Sequence, residues 1–562
     1  METQAPQLEL AEYDESGKVT ATYVETGPRI DVIVSTAESP LRKTLLHQAL
    51  DIFLPAGYPQ SVTEDYLPYQ VYDSLQAFSS SIAGLLSSRA VLEGRSPAQQ
   101  AAICHSFPTY ATLAITIAIN STRLRRSACL KRLALALYTA SLRSSFSLLL
   151  LDLLTIRPVI DALSLAGVGV GDATASPTAA LLLSVLQESA GRIATILFAA
   201  RLGTSLEPEC KAWRLAADFF NDAAMLLNCI SPALPRVARV CVLSLSSILS
   251  ALCGVAAGSS KASLSAHFAR MQNLGELNAK DSSQETIISL MGMLAGSVVV
   301  SWVSSPLATW VSMLLLLTIH LGTNYAAVRA VSMRSLNRQR ANIVMSHLLA
   351  YDKVLTPQQV AQKERIFELR DGALRWADDQ VVGHCRIGVR LADVVAKLPG
   401  AESGEPGTAR KTGAVVRDGG ASANDMSLSR LLKVYEHDSY LLWYDSAWSE
   451  ALIVLKQSCE PAAQLQAWTQ ALLLASRHGG GAGTGGRRGL ATQSSRDGND
   501  GSADLELELR LTLEQTRHMF GAGSGAARAR LEAAGWDLSI AALETHSGTR
   551  AAVRASLWSE KQ

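Results

Sequence analysis

Charged residues are absent from a long central part of the chain, and this gap dominates its pattern of hydrophobic and polar positions. No Asp, Glu, Lys or Arg occurs between Thr286 and Val328, whereas both flanks are densely polar. A soluble helix normally combines an apolar stripe with charged positions on its other faces. An uncharged segment of this length is therefore expected either to be buried on all sides or to lie in lipid.

Local signals divide this central segment into two helices. Ser282 and Glu285 have the spacing of a capping box, which predicts a first helix over about 283–304. Ser305 before Pro306 has the pattern of an N-cap followed by proline, which predicts the start of a second helix. Each apolar part is only just long enough to cross a hydrocarbon core of ~30 Å. A membrane hairpin and a hydrophobic hairpin inside a soluble domain both remain open.

Small residues recur at a spacing of four positions in and before this segment. Gly292 and Gly296 have this spacing on the first helix. Gly254 and Gly258 repeat it upstream, within the uncharged stretch 240–260, which is a third candidate for a membrane span. Because small residues let helix backbones approach closely in lipid, both pairs are expected to mark helix–helix contacts.

The overall composition favours an intracellular protein associated with a membrane. Only 18% of the 562 residues are charged, and the mean hydropathy is +0.15. A net charge of +1 argues against a dedicated nucleic-acid binder. The eight cysteines lack metal-type spacing, and buried reduced thiols are the simplest interpretation. We therefore expect an intracellular membrane, of unspecified organelle, as the location, and neither a metal nor a cofactor.

The fold class predicted from these patterns is mainly α, with a helical membrane-associated core domain and a small α+β C-terminal domain. Thr356 and Gln359 predict a further capping box at the start of a helix. In the C-terminal part, YLLWYD and EALIVLK predict two strands, PAAQLQAWTQALLLA predicts a helix after them, and GWDLSIAALET predicts a last strand. Within the core, residues 95–166 lack clean periodicity and are interpreted as an atypical insertion. The predicted segments are 1–40 (acidic, at most a short hairpin), 41–350 (helical core), 351–399 (helical extension), 400–427 (linker) and 428–562 (α+β domain with a flexible loop at 478–503).

Two groups of polar residues are candidates for ligand binding, although solvated helix faces are the commoner explanation for such sets. Asp218, Asn221 and Asp222 share one face of an amphipathic helix predicted over 211–228, where they would suit a cation or a polar ligand. The second group lies beside the apolar hairpin, and its cations would suit an anionic headgroup or a phosphate. Its members are Lys261, His267, Lys280 and Asp281.

One ionisable residue lies inside the uncharged segment itself. Ionisable groups at membrane depth tend to be functional, although a histidine at the interfacial end of a span is the commoner case. This residue is His320. No Ser/His/Asp, Cys/His or paired-carboxylate arrangement can be assembled from spacing, so no catalytic residue is predicted.

Six ordered blocks of sequence are distinctive when they are taken together. They are LPAGYPQSVTEDYLPYQVYDSLQAFSSSIAG, VGVGDATASPTAA, KAWRLAADFFNDAAMLL, GVAAGSSKASLSAHFA, NAKDSSQET and NYAAVRAVSMRSLNRQRAN, and they cover about 41–94 and 167–350. Together these blocks strongly resemble the Root UVB Sensitive (RUS) family, also named for vitamin B6 photoprotection and homeostasis. The resemblance implies a membrane protein linked to UV-B responses, vitamin B6 balance and auxin transport. No agreed reaction comes with the family. In its pattern SSRAVLEG runs almost directly into GVGVGDATAS, which supports an insertion or a translated intron at 95–166.

These observations predict a non-enzymatic membrane-associated scaffold or regulator. Its expected partners are the membrane and another RUS-family member, and nucleic acid is not expected. The alternative is a small-molecule transporter or binder whose site contains Asp218, Asn221, Asp222 and the loop 261–285. A third reading, an enzyme acting on a pyridoxal-type phosphate, rests only on the vitamin B6 link of the family.

Overall fold

A computed structural model provides the architecture of the chain, which divides into two units. The helical unit comprises Met1–Arg201 and Cys210–Val331, and the C-terminal unit comprises Leu202–Glu209 and Ser332–Gln562. Residues 95–166, most of the predicted linker and most of the loop at 478–503 lie outside the described residues. The structure describes residues 8–13, 19–26, 29–34, 53–92, 177–368, 371–398, 427–446, 448–478, 501–521, 526–546 and 548–552.

The helical unit starts with a small sheet of three strands. Alternating β-branched and polar residues, as in VTATYVET and RIDVIV, favour extended structure here. All neighbours are antiparallel, in the order β1-β2-β3, with Leu10 opposite Tyr23 and Ala21 opposite Val34. The sequence predicts at most a short hairpin in this region. The structure has one strand more than a hairpin, and this additional strand is the first. The strands are β1 (Leu8–Tyr13), β2 (Val19–Thr26) and β3 (Arg29–Val34).

The described part of the helical unit also contains six long helices. Helix α1 is central, because it packs against α3, α5 and α6, while α3 packs along α4. The amphipathic helix predicted over 211–228 is confirmed as α3. The helices are α1 (Tyr66–Leu92), α2 (Pro177–Leu206), α3 (Cys210–Ile230), α4 (Arg236–Phe268), α5 (Leu274–Trp302) and α6 (Pro306–Ala330).

Of the two helix starts predicted in the central segment, one is confirmed and the other is wrong. The N-cap at Ser305 is confirmed, since its Oγ accepts a hydrogen bond from the backbone N–H of Ala308 at 3.2 Å. The capping box at Ser282 and Glu285 is wrong, because α5 already begins at Leu274 and both residues lie inside it. The Glu285 carboxylate instead pairs with a lysine on α4, as described below. The local spacing of Ser282 and Glu285 therefore does not set the start of α5.

Two glycines bring α5 into close contact with α1. A Cβ atom added at Gly292 would lie 2.7 Å from Ser81 Cβ and 2.9 Å from the Phe78 carbonyl oxygen. One added at Gly296 would lie 2.8 Å from Leu85 Cδ1. Because such distances leave no room for a side chain, only glycine permits this approach of the two backbones.

The upstream glycine pair behaves differently. A Cβ atom added at Gly254 or at Gly258 would have no neighbouring heavy atom within 4 Å. The helix contact that the spacing predicts at this pair is therefore not found among the described residues. The same sequence step can mark a contact or an open face, since spacing alone does not state which side of a helix meets a neighbour.

Helix α1 has its polar side inside and part of its apolar side outside. The side chains of Asp73 and Gln76 are buried, each residue being 7% exposed. Leu67, Val71 and Leu75 follow one another at four-residue spacing and are 44%, 52% and 50% exposed. A helix on the surface of a water-soluble domain has the opposite arrangement. Within the described part of the chain, the outer face of α1 is therefore apolar and its inner face is polar.

Three helices in the described part of the chain are long and apolar enough to cross a membrane. They span Ala238–Phe268, Leu274–Trp302 and Leu307–Ala330. The apolar half of α5 is not enclosed by the described residues, because Leu294 is 62% exposed and Trp302 is 84% exposed. Burial of α5 on all sides, which the soluble alternative requires, is therefore not found among the described residues.

The C-terminal unit is an α+β fold built on a sheet with the order β4-β5-β7-β6, and β8 also pairs with β7. Strand β7 is parallel to β5 and antiparallel to β6, and α11 packs against the sheet. The strands are β4 (Ala373–Arg375), β5 (Val381–Ile387), β6 (Tyr440–Asp445), β7 (Glu450–Lys456) and β8 (Arg550–Ala551). The helices are α7 (Arg338–Tyr351), α8 (Pro357–Lys363), α9 (Leu391–Val395), α10 (Leu428–Val434), α11 (Pro461–His478), α12 (Gly501–Phe520) and α13 (Ala527–Ala533).

Most predicted elements of this unit are confirmed. The capping box of Thr356 and Gln359 is present, with both reciprocal hydrogen bonds. The strands YLLWYD and EALIVLK and the helix after them are also as predicted. The expected final strand around GWDLSIAALET is wrong, because only an isolated bridge from Asp537 to Ser335 forms there. The chain as a whole is mainly α, in agreement with the predicted fold class.

Candidate functional site

A cluster of ionisable and amide side chains lies buried where α1, α3 and α6 meet. We call it the polar cluster. Its members come from helices that carry apolar residues on their outer faces, and each is less than 9% exposed. The members are Tyr69 (4%), Asp73 (7%) and Gln76 (7%) of α1, Arg214 (8%), Asp218 (4%) and Asp222 (3%) of α3, and His320 (0%) and Asn324 (1%) of α6.

Arg214 joins α1 to α3. Its Nη2 atom lies 2.7 Å from Asp73 Oδ1, and its Nη1 atom lies 3.1 Å from Asp218 Oδ1. Nη2 also donates to Gln76 Oε1 at 3.2 Å, and Nε donates to the Tyr69 hydroxyl at 3.4 Å. The planar guanidinium has several donors at fixed angles, so one side chain can bridge two buried carboxylates.

Asp218 and Gln76 extend the network to α6. Gln76 Nε2 donates to Asp218 Oδ2 at 2.7 Å and lies 2.9 Å from His320 Nε2. Asn324 donates to the same Asp218 oxygen and to the backbone carbonyl of Arg214. Three helices are thus connected through polar side chains in the interior of the helical unit.

His320 lies between Gln76 and Asp222, and the contacts indicate its tautomer. Gln76 Oε1 accepts from Arg214, so the Gln76 amide presents its NH₂ group to His320 Nε2. Nε2 is then the unprotonated acceptor, and the ring proton is on Nδ1, 2.7 Å from Asp222 Oδ1. The imidazole is therefore neutral in this arrangement.

The cluster contains more negative than positive charge. The carboxylates of Asp73, Asp218 and Asp222 face one guanidinium and a neutral imidazole. Burial raises the pKa of Asp218, and it raises the pKa of Asp222 to about 6, although the neighbouring His320 ring acts in the opposite direction. A buried carboxylate is costly unless its charge is compensated, so this site favours uptake of a positive charge.

The second predicted group forms a separate cluster between α1, α4 and α5. Lys261 Nζ lies 2.7 Å from Asp281 Oδ2 and 2.6 Å from Glu285 Oε2. Gln70 of α1 donates to the other Asp281 oxygen at 2.8 Å. Because two carboxylates already neutralise Lys261, an anionic ligand would have to compete with them.

The remaining predicted residues lie apart from the polar cluster. His267 pairs with Asp65, with 3.0 Å between Nε2 and Oδ2. Lys280 lies half-buried on α5. Asn221 donates to Ser80 Oγ at 3.4 Å and is only partly buried. The anion-binding role of His267 and Lys280 stays a prediction, as does the binding of a cation or a polar ligand by Asn221.

Sequence reasoning found part of the polar cluster and missed the rest. Asp218 and Asp222 were selected from their spacing, and His320 from its apolar surroundings. Arg214 lies four residues before Asp218, and Asn324 lies four residues after His320, so both could have been found from helical periodicity. The members contributed by α1 required the tertiary structure. Among the described residues, no group of three or more His, Cys, Asp or Glu side chains is arranged to hold a metal ion.

Comparison with known proteins places this helical unit in a family. The family model described as the vitamin B6 photo-protection and homoeostasis domain matches residues 39–118 and 138–352, more than half of the chain. The chain belongs to this family. The matched ranges contain every member of the polar cluster. They also include parts of the segment 95–166, and the origin of that segment stays a prediction.

Curated relatives carry RUS names, which confirms the resemblance. The chain is 30% identical over 330 residues to RUS family member 1 of Dictyostelium discoideum, covering 58% of this chain and 49% of the relative. It is 29% identical over 350 residues to protein root UVB sensitive 3 of Arabidopsis thaliana, covering 62% of each chain. The matches thus span about half to three fifths of the length of these relatives. No solved structure matches the chain.

Proposed function

We propose that this chain is an integral membrane protein whose helical unit binds a small polar solute at the polar cluster and carries it across the bilayer. The observation that carries the proposal is the inverted arrangement of the helices around the cluster. On α6, His320 and Asn324 are buried, whereas Val311, Leu315 and Ile319 are exposed. Helix α1 is inverted in the same way. Apolar outer faces around a charged interior are suited to lipid and not to water.

The polar cluster supports a transport function over a purely structural one. Ionisable side chains inside a bilayer are costly, and they commonly line substrate or ion pathways. Hydrogen bonds alone could hold three helices together with neutral side chains. The cluster instead combines three carboxylates with a guanidinium and an imidazole, which provides both donors and acceptors for a polar solute. The family description makes vitamin B6 compounds the first solutes to test.

Membrane residence is tested by carbonate extraction of membranes from cells that express the tagged full chain. We expect the chain to remain in the membrane pellet. Leu290→Arg combined with Leu294→Arg, on the exposed side of α5, should reduce the pelleted fraction, since each central arginine costs about 2.5–3.5 kcal/mol on insertion scales. The control is Leu507→Arg on α12, an exposed leucine of the C-terminal unit, which should change nothing. Release of the unaltered chain into the soluble fraction would contradict membrane residence.

Solute carriage is tested with the purified full chain in lipid vesicles and tritiated pyridoxine or pyridoxal outside. We expect accumulation above that of protein-free vesicles. Arg214→Lys keeps the charge but loses part of the hydrogen-bond network, so uptake should fall about tenfold or more. Arg192→Lys, at an exposed ion pair on α2, serves as the matched control and should retain full uptake.

Two other outcomes of this experiment identify the alternatives. A folded, membrane-resident chain that carries no vitamin B6 compound and instead co-purifies with another RUS-family protein would favour the scaffold. A bound pyridoxal-type absorbance band that disappears in Lys261→Ala or Lys280→Ala would favour the enzyme, since such enzymes hold their cofactor as a Schiff base.

A further inference from the structure

Three buried oxygen atoms and one ring nitrogen of the polar cluster lack a hydrogen-bond partner among the described residues. They are both carboxylate oxygens of Asp222, the Asn324 Oδ1 atom and the His320 Nδ1 atom, in residues that are 3%, 1% and 0% exposed. A buried acceptor left unsatisfied destabilises the folded state, and more so when the group is charged. The rest of the cluster is densely hydrogen-bonded, so these atoms are the exception that needs a physical account.

The hydrogen-bond pattern limits where an additional proton can bind. His320 Nε2 receives the NH₂ group of Gln76, and the opposite orientation of that amide would place its NH₂ group against the Arg214 guanidinium. His320 Nδ1 lies 2.7 Å from Asp222 Oδ1, although this contact does not have the geometry of a hydrogen bond. Asp222 Oδ2 has no hydrogen-bond donor, so it can accept a proton without breaking an existing contact.

The charges around the pair favour the same outcome. On α3, Asp218 Oδ2 lies 3.6 Å from His320 Nε2, and Arg214 is the cation that pairs with Asp218. On α1, Asp73 and the Tyr69 hydroxyl face Arg214. On α4, Cys253 interacts electrostatically with both Asp218 and Asp222. Three carboxylates against one guanidinium leave an excess of negative charge that one proton reduces.

We propose that Asp222 carries an exchangeable proton on Oδ2, with His320 positioning the carboxyl group, so that the polar cluster is a proton-binding site. The proton converts an unsatisfied acceptor into a hydroxyl donor and lowers the buried negative charge. Only the consequence of this proposal, the coupling of solute movement to proton movement, rests on the proposed function. The site itself requires no solute.

The proton is measured directly by infrared difference spectroscopy of the purified full chain in lipid vesicles, between alkaline and acidic buffer and without solute. We expect a protonated-carboxyl C=O band to appear as the pH falls, with a midpoint close to 6. The sign follows from burial, which favours the neutral acid and so keeps the proton bound to a higher pH than in an exposed aspartate. The band should be lost in Asp222→Asn. Glu188→Gln, at an exposed carboxylate on α2, should leave it unchanged.

A second variant keeps the test decisive if the asparagine variant does not fold. Asp222→Glu retains a carboxyl group on a longer side chain, so the band should persist with a shifted frequency or midpoint. A band unchanged in Asp222→Glu, or still present in Asp222→Asn, places the proton elsewhere and overturns the proposal. A folded wild-type chain without any titrating band also overturns the proposal. A band that sodium chloride suppresses but choline chloride does not would indicate a sodium site, and this result overturns the proposal as well. A titrating band without vitamin uptake would leave the proton site intact and refute only the carriage of these solutes.

Discussion

Replacing Arg214 by methionine is expected to destabilise the helical unit by about 3–5 kcal/mol, the usual cost of removing one partner of a buried ion pair. The guanidinium is the cation between Asp73 and Asp218, and all three side chains are at least nine-tenths buried. Without it, two carboxylates remain in the interior with no compensating charge. The measurement is the free energy of unfolding, or the melting temperature, of the detergent-solubilised full chain.

A surface ion pair of the same type provides the control for Arg214. Arg192 pairs with Glu188 at 2.6 Å on α2, one helical turn apart, and both side chains are largely exposed. Arg192→Met should therefore leave the stability nearly unchanged, because solvent screens an exposed ion pair. In an Arg214→Met background, Asp73→Asn should recover part of the lost stability, because it removes one of the stranded charges. Equal effects of the two arginine substitutions would show that the polar cluster is solvated and not an enclosed site.

The second large effect is expected at the contact between α1 and α5. Gly292→Ala would place a Cβ atom 2.7 Å from Ser81 Cβ and 2.9 Å from the Phe78 carbonyl oxygen. Because one neighbour is backbone, the helices must move apart, and a loss of about 1–3 kcal/mol is expected for such overpacking. The melting temperature of the purified chain in detergent measures it.

At the upstream pair, Gly254 and Gly258, replacement by alanine is expected not to lower the stability. Gly254→Ala and Gly258→Ala introduce Cβ atoms with no neighbour within 4 Å, so only the better helix propensity of alanine remains. These variants should be neutral or more stable by up to about 1 kcal/mol. A stabilising Gly292→Ala would refute the close approach of α1 and α5. A destabilising Gly254→Ala would reveal a neighbour on the outer face of α4, for example a second chain.

Local features of the sequence were sufficient for most of the elements. The N-cap at Ser305, the capping box at Thr356 and the amphipathic helix around Asp218 depend on residues within a few positions of each other, so their outcome could be predicted. Ser282 and Glu285 have the same capping-box spacing but lie inside α5. There, Glu285 pairs with Lys261, which lies 24 residues away on α4. Whether a side chain caps a helix depends also on the distant partners that the fold brings near it. A short stretch of sequence does not contain those partners.

By itself, the sequence determined the helical class, the apolar spans and the family, because helix periodicity, uncharged length and ordered blocks are properties of neighbouring residues. It also selected Asp218, Asp222 and His320 as unusual. Only the tertiary structure decided that they share one buried cluster with Arg214 and with side chains of α1. The physical reason is that burial belongs to the assembled helices and not to a position in the chain. The inverted α1 is the clearest example: its polar residues face inward only because α3 and α6 provide their partners.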